Sequence, residues 1–381
     1  MERRAIYTNR NEDDLVKSGQ EWNFHGEETG EHLHSLHPYP AKFIPQIPRK
    51  AILTYTEKRD LVYDPFMGCG TTLLEASLLG RESVGTDNNS VAVLVSRAKT
   101  QTYTKADIKA LEDFLNEISS ALPKPDQALI PKNDNFLYWF NKDVLRRLSS
   151  FKKLILTKPE PIQTMLMAIF SSIIVRVSYQ DSDTRYAKTD RIVNPKDVDR
   201  AFSNKLKEVI SYLPEIPMKQ RAEVKPILAD SRAVPFIKSG SVSLVVTSPP
   251  YLNAFDYHKY HRQRLHWVGG DIDFARDIEI GSHDEFTRPN ASPKQYFTDM
   301  NQCFKEWSRV LKKKGYCLIV VGDAIVNKKS VSVADTFIDL MRENSFVVAD
   351  HWIRELHATK RAFNVLTSRI NREHVLLFQK Q

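Results

Sequence analysis

The sequence predicts an α/β fold: a doubly wound, mostly parallel sheet of seven strands with an inserted helical subdomain. Two observations predict it. Short apolar runs typical of strands alternate with amphipathic helical runs towards both ends of the chain, and the first strand-to-helix junction carries two glycines. Between these regions, a stretch of about 120 residues is mostly helical in period and shows no clear strand alternation.

Four segments follow from this pattern. Residues 1–36 are polar and are expected to form an irregular arm. Residues 37–102 and 223–381 hold the alternating strands and helices, and residues 103–222 form the predicted helical insert. Proline-rich joints subdivide the insert, because proline interrupts helices.

The individual elements are predicted from apolar spacing and from turn residues. In residues 37–55, prolines forbid a helix at the start of the segment. The apolar spacing further along the segment then favours a short amphipathic helix. The predicted strands are 61–63, 83–86, 226–229, 243–247, 316–322, 347–353 and 374–379. The predicted helices of the sheet regions are 72–79, 91–99, 296–311 and 333–343. The last strand is expected to return antiparallel.

Composition narrows the class of protein. The chain has 381 residues, 41% of them hydrophobic, and no apolar run long enough to span a bilayer or to act as a signal peptide, so we expect a cytoplasmic protein with no membrane partner. The three cysteines are far apart and no cluster has metal-ligand spacing, so neither disulfides nor a metal site is expected. A formal net charge of +8 suits a polyanionic partner without requiring one.

The first motif is a glycine turn. Residues 64–72 read Asp-Pro-Phe-Met-Gly-Cys-Gly-Thr-Thr, and Gly68 and Gly70 allow a tight turn that a ligand can approach closely. Asp87 ends the next predicted strand, where its carboxylate can accept both ribose hydroxyls of a nucleoside. Leu73 replaces the third glycine of the dinucleotide fingerprint, and no Walker A lysine follows. The turn therefore favours a nucleoside ligand without a pyrophosphate, and S-adenosylmethionine fits; the alternative is a plain tight turn with a capping aspartate.

Asp230 ends the third predicted strand. Its carboxylate is expected to reach an adenine amino group in the same crevice. A helix or turn cap is the alternative role for an aspartate in this position.

The second motif follows a buried strand directly. Residues 248–251 read Ser-Pro-Pro-Tyr, and two prolines at the end of a sheet strand hold the chain rigidly with unpaired carbonyls. An exocyclic base amine is a poor nucleophile, because its lone pair is delocalised into the ring. Hydrogen bonds from the amine to Ser248 Oγ and the Pro249 carbonyl would favour a tetrahedral nitrogen, while Tyr251 stacks on a base taken out of the duplex. The alternative is that Pro249 and Pro250 only terminate the strand.

Together these motifs resemble the DNA amino-methyltransferase family, in particular its cytosine-N4-specific members with a Ser-Pro-Pro-Tyr motif. His-Pro-Tyr-Pro-Ala-Lys-Phe at 37–43 is similar to the family segment that precedes the glycine motif. The resemblance covers 37–100 and 226–381. It implies a Rossmann-like fold of the S-adenosylmethionine-dependent methyltransferases. It also implies that the protein modifies double-stranded DNA.

The resemblance also implies roles for single residues. The cofactor-binding set is Lys42, Phe43, Asp64, Phe66, Gly68, Gly70, Thr71, Thr72, Asp87 and Asp230. The catalytic set is Ser248, Pro249, Pro250 and Tyr251. Residues 103–222 are a candidate DNA-recognition subdomain, although family members usually carry theirs elsewhere.

Candidate DNA contacts follow the second motif, where basic and aromatic residues are mixed. They are Tyr257, Lys259, Arg262 and Arg264, joined by Lys360, Arg361 and Arg369 between the last two strands. An amphipathic helix with a solvated basic face is the alternative. Basic clusters of the insert, such as Arg185 and Lys188, are interpreted as solvated.

Several functions are compatible with these motifs. The first is a cytosine-N4 DNA methyltransferase of a prokaryote or phage, serving as the modification enzyme of a restriction system with a partner endonuclease. The same fold could act on adenine N6 or on an RNA amine, or could bind nucleic acid without turnover. Cytosine-C5 chemistry is disfavoured, because no cysteine follows a proline. The oligomeric state is left open.

Overall fold

The structure, a computed structural model, describes residues 22–24, 26–132, 135–215, 222–287, 291–355 and 372–381. Within these residues one seven-stranded sheet is accompanied by two small two-stranded hairpins. The strands are β1 Leu61–Asp64, β2 Glu82–Asp87, β3 Gln180–Ser182, β4 Arg185–Lys188, β5 Val224–Leu228, β6 Val242–Thr247, β7 Leu311–Val321, β8 Ala324–Val326, β9 Lys329–Val331, β10 Phe346–Glu355 and β11 Arg372–Lys380.

The order across the large sheet is β10-β11-β7-β6-β1-β2-β5. Its strands from β5 to β7 pair in parallel, whereas β11 is antiparallel to both of its neighbours. The predicted seven-stranded, mostly parallel sheet with an antiparallel last strand is confirmed.

The helices connect and cover these strands. They are α1 Gln46–Tyr55, α2 Thr71–Leu78, α3 Ser90–Thr100, α4 Lys105–Ser120, α5 Phe136–Trp139, α6 Lys142–Ile155, α7 Ile162–Ile173, α8 Pro195–Tyr212, α9 Tyr257–Tyr260, α10 Arg262–Val268, α11 Ile272–Asp277, α12 His283–Phe286, α13 Lys294–Val310 and α14 Val333–Glu343. Among the described residues, no helix has both the length and the apolar character needed to cross a bilayer.

Both faces of the sheet are buried, as its winding requires. On β1, Val62 packs on the face that α1 covers, and its neighbour Tyr63 packs on the face that α13 and α14 cover. Leu244 and Val245 of β6 alternate in the same way. Successive strand side chains point to opposite faces, so strands buried on both sides read as continuous apolar runs. This is why the strand predictions succeeded where such runs occur.

The inserted region differs from its prediction in one respect. It is mainly helical, but β3 and β4 form an antiparallel hairpin inside it. Strands of three and four residues are too short for alternation to be recognised in the sequence. The insert also shares one apolar cluster with the sheet's own helices: Val95 of α3, Phe170 of α7 and Phe202 of α8 all belong to it.

Strand β7 also differs from its prediction. It begins at Leu311, five residues before the predicted start at 316. Three successive lysines, 312–314, are exposed along this extension. Strands were predicted from runs of apolar residues, and the lysines interrupt such a run. The sequence therefore predicted only the buried second half of β7.

Candidate active site

The glycine turn and the Ser-Pro-Pro-Tyr motif leave adjacent parallel strands at the same end of the sheet. Val62 of β1 pairs with Leu244 of β6, and Tyr63 pairs with Val245. At the strand ends, Thr247 Oγ1 donates a hydrogen bond of 2.7 Å to Asp64 Oδ1. In the sheet, β1 lies between β2 and β6. The connection after β1 leads to β2 on one side, while the later strand β6 lies on the other side, so the strand order reverses at this point. Open α/β sheets bind ligands at such points.

A crevice opens at this end of the sheet, with a volume of about 860 Å³ including the solvent at its mouth. The predicted site residues that line it are Lys42, Phe43, Asp64, Phe66, Gly68, Thr71, Asp87, Asp230, Ser248 and Pro250. Four residues of the predicted cofactor-binding and catalytic sets lie outside this lining: Gly70, Thr72, Pro249 and Tyr251.

The turn depends on glycine at two positions. Gly68 has φ +48° and Gly70 has φ +76°, both in the left-handed region that side chains rarely adopt. A Cβ on Gly70 would lie 2.5 Å from Ser96 Oγ and 3.0 Å from Ser96 Cα. Helix α2 starts at the next residue, so its free N–H groups begin beside the crevice.

Replacing Gly70 with alanine tests how tightly the turn is packed. We expect Gly70→Ala to lower the free energy of unfolding by about 1–3 kcal/mol more than Gly240→Ala, because overpacking adds to the shared backbone strain. Gly240 is a matched control, since its φ is +64° and a Cβ added there would have no neighbour within 4 Å. Urea denaturation measures both variants. Equal losses would contradict the close contact with Ser96.

Asp87 braces the turn from the end of β2. Its Oδ2 accepts the N–H of Gly68 at 2.9 Å, and its Oδ1 accepts the N–H of Asn89 at 2.9 Å. Burial raises the pKa of this carboxyl to about 7, although the two N–H donors oppose the rise. Each carboxylate oxygen can accept more than one hydrogen bond, so acceptor capacity remains for a ligand in the crevice.

Asp64 supplies a second carboxyl at the end of β1. Only 3% of the residue is exposed, and its Oδ1 accepts the Phe66 N–H at 3.1 Å in addition to the Thr247 hydroxyl. Burial raises the pKa of Asp64 to about 6, against the lowering effect of the Thr72 and Thr247 hydroxyls. Thr72 itself is fully buried, so it lies beneath the crevice and cannot contact a ligand there directly.

Asp230 lines the crevice but is already paired. Arg232 binds its carboxylate through Nε at 3.0 Å and through a terminal nitrogen at 2.8 Å. The other terminal nitrogen of Arg232 donates to Asp299 at 2.9 Å. The arginine therefore fixes the direction of the Asp230 carboxylate.

The segment before the glycine motif is anchored over the crevice. His34 contacts Glu75 of α2 at 2.8 Å, and Lys42 Nζ donates to the His34 carbonyl at 2.7 Å. His37 Nε2 lies 3.1 Å from the Ser171 hydroxyl. These contacts hold Tyr39 against the turn, where its ring is the nearest neighbour of a Cβ built on Gly68.

On the opposite wall, Ser248 and Pro250 face the glycine turn. The Pro250 carbonyl accepts the Tyr296 hydroxyl at 3.0 Å. No described residue donates a hydrogen bond to the Pro249 carbonyl. Tyr251 is half-buried, and its hydroxyl donates to Glu373 Oε1 at 2.7 Å. Glu373 in turn pairs with Arg354 at 3.3 Å.

A third wall of the crevice was not predicted from the sequence. Ile278, Glu279 and Ile280 line the crevice together with Tyr257, which was predicted only as a DNA contact. Glu279 accepts the Tyr257 N–H at 2.8 Å and contacts His258 Nδ1 at 2.6 Å. No motif marks residues 278–280; only the tertiary fold brings them here. Tyr39 and Met67 lie inside the two motifs at 37–43 and 64–72, and Asn88 follows Asp87, but none of the three was singled out as a site residue.

The predicted DNA contacts have different fates. Arg264 is wrong as a surface contact: it is fully buried, donates to the Ser171 carbonyl at 3.1 Å and pairs with Asp183. Lys259 is paired with Asp256 and Asp284, whereas Arg262 is exposed. Lys360, Arg361 and Arg369 lie outside the described residues.

Comparison with known proteins bears on the identity of this site. A family model described as DNA methylase matches residues 2–98 and 242–381, more than half of the chain. The Type II methyltransferase M.MvaI of Kocuria varians is 25% identical, over 80% of this chain and 79% of the relative. The Type II methyltransferase M.MjaII of Methanocaldococcus jannaschii is 23% identical, over 78% and 73%. A SAM-dependent methyltransferase from Methanosarcina mazei aligns with a TM-score of 0.36 at 10% identity, over 87% of this chain and 96% of that one.

Proposed function

The chain belongs to the DNA methylase family, and we propose that it transfers the methyl group of S-adenosylmethionine to the exocyclic N4 amine of cytosine in double-stranded DNA. The observation that carries the proposal is the crevice itself. Asp64, Gly68 and Asp87 line one side, and Ser248 with Pro250 lines the other. A methyl donor and an acceptor amine can therefore meet within one site.

The donor side fits a nucleoside with an amino-acid tail. Asp87 offers acceptor capacity for ribose hydroxyls, and Asp64 offers a buried carboxyl for an ammonium group. Asp230, oriented by Arg232, offers an acceptor for an adenine amino group. When bound, S-adenosylmethionine supplies an electrophilic methyl group on a sulfonium.

The acceptor side fits an exocyclic amine. Ser248 Oγ and the carbonyl of Pro249 would accept the two amine hydrogens, which favours a tetrahedral nitrogen with a free lone pair. Two successive prolines limit backbone movement, so these acceptors are preorganised and need little rearrangement. Tyr251 would stack on the base after it leaves the duplex.

Serine at the first position of the motif supports cytosine as the target base. The test is direct: incubate the purified protein with unmethylated DNA and the methyl donor, then digest the DNA and identify modified nucleosides by mass spectrometry. We expect N4-methyldeoxycytidine. Detection of N6-methyldeoxyadenosine would show that the target base is adenine. If no modified nucleoside is found, the protein is better described as one that binds nucleic acid without turnover.

We further infer that the protein is the modification enzyme of a restriction system, with a partner endonuclease. The similarity to two Type II methyltransferases supports this. Mapping the modified bases in the genome of an expressing host would give the recognition sequence. A single short sequence methylated throughout agrees with the inference, and scattered modification contradicts it.

Binding of the methyl donor should depend on pH through Asp87. Ribose hydroxyls donate to the ionised carboxylate, so binding favours the form that dominates above its pKa of about 7. The affinity should thus rise about tenfold between about pH 6 and about pH 8 and level off above. Calorimetric titration at several pH values measures this.

Asp87→Asn is the matched control for that pH dependence. It keeps an acceptor oxygen but does not titrate. The variant should retain only the dependence contributed by Asp64, whose pKa is about 6. The same rise in both proteins would exclude Asp87 as its source.

A further inference from the structure

We propose that the β3–β4 hairpin is a DNA-contacting ribbon that grips the duplex beside the crevice. The inference rests on the proposed function and adds a location for part of the DNA interface. It assigns phosphate contacts to Arg185 and Lys188, at the two ends of β4, and to Arg262 at the start of α10. All three side chains are exposed.

The hairpin is held in place by a buried cation. Arg264 of α10 is fully buried and pairs with Asp183 in the hairpin turn, while its Nε donates to the Ser171 carbonyl of α7. Burying an arginine costs free energy unless its charge is compensated. An isolated two-stranded hairpin is marginally stable. This ion pair ties the hairpin to two helices at once and fixes its direction.

Aromatic contacts support the same arrangement. The ring of Tyr186 lies 4.6 Å from that of Trp139, and the Tyr186 hydroxyl accepts Gln263 Nε2 at 3.4 Å. Lys188 Nζ lies 4.3 Å from the centre of the Tyr138 ring. Tyr138 is half exposed, so it extends the hairpin surface with an aromatic face. Basic residues beside exposed aromatic rings are typical of nucleic-acid contacts.

The hairpin lies next to the crevice. Gln180 Nε2 of β3 donates to the carbonyl of Tyr260 at 3.5 Å, and Tyr260 ends the same short helix α9 that begins with Tyr257 of the crevice lining. A second cavity, of about 1220 Å³ including its open mouth, lies against the hairpin turn and shares Lys42 with the crevice. DNA whose base enters the crevice would therefore pass close to the hairpin.

Charge selects the partner. The Asp183 carboxylate of the hairpin turn is neutralised by Arg264, and Asp181 lines the second cavity. The exposed side chains of β4 itself are the two cations, Arg185 and Lys188, although Asp190 just beyond the strand is exposed as well. A two-stranded ribbon fits the major groove of B-DNA, and cations at its edges suit the flanking phosphates. The occupant we propose is duplex DNA.

The test removes two charges from the hairpin and, separately, two from elsewhere. The double variant Arg185→Gln/Lys188→Gln is compared with Lys109→Gln/Arg342→Gln, which removes the same charge from exposed positions on α4 and α14. Fluorescence anisotropy with a labelled short duplex gives the dissociation constant at several salt concentrations, without turnover. Thermal melting checks that each variant is folded.

The hairpin variant should bind DNA more weakly, and the slope of log affinity against log salt should fall by about two, one for each lost phosphate contact. The control variant should keep a slope close to that of the wild type. Equal behaviour of the two variants overturns the inference, even if the wild type methylates DNA. A wild type that neither binds nor methylates DNA instead removes the proposed function, and the inference with it.

Discussion

Replacing Tyr251 with alanine is expected to lower the rate of methyl transfer by about tenfold to about a hundredfold, because stacking of a base on an aromatic ring contributes about 1–3 kcal/mol. Affinity for the methyl donor should change little, since Tyr251 lies outside the lining of the crevice. The rate is measured with labelled methyl donor, and the affinity by calorimetry.

Tyr251→Phe separates the ring from the hydroxyl. The phenylalanine keeps the stacking surface and loses only the hydrogen bond to Glu373. We expect it to retain most of the turnover. If both variants lose activity equally, the hydroxyl and its bond to Glu373 matter instead, and base stacking is contradicted. Wild-type turnover in Tyr251→Ala would remove the residue from the mechanism.

Replacing Asp87 with alanine should weaken binding of the methyl donor by roughly 1.5–3 kcal/mol, a change of about tenfold to about a hundredfold in the dissociation constant. The loss has two physical sources. The ligand loses a charge-assisted acceptor, and the N–H of Gly68 loses its partner, which loosens the glycine turn. Calorimetry measures the effect.

Asp323→Ala is the matched control for Asp87→Ala. Asp323 follows β7 at the same end of the sheet and likewise accepts a backbone N–H, from Val333 at 3.0 Å, but it does not line the crevice. Its replacement should leave the dissociation constant unchanged. An unchanged constant in Asp87→Ala as well would place Asp87 outside the binding site.

The sequence predicted the parts of the site that depend on local backbone chemistry. Gly68 and Gly70 indicate a turn with positive φ, and the pair Pro249 and Pro250 indicates the end of a strand. Each feature lies next to a buried apolar strand, so its place at one end of the sheet followed from the fold.

What the sequence could not predict depends on tertiary packing. Arg264 looks like part of a basic surface, yet the insert folds over it and Asp183 neutralises its charge. Ile278 and Ile280 carry no motif and reach the crevice only because the chain after the second motif turns back across it. Contacts between segments that are far apart in the chain cannot be recognised from the spacing of residues in the sequence.

The proposed methyl transfer requires donor and acceptor to meet in the crevice between the ends of β1 and β6. A crystal structure of the protein with S-adenosylhomocysteine would show whether they do. We expect the ribose hydroxyls to bind Asp87 and the sulfur to face Ser248. A ligand bound outside this crevice, or with its sulfur turned away from Ser248, would show that methyl transfer does not take place between these two walls.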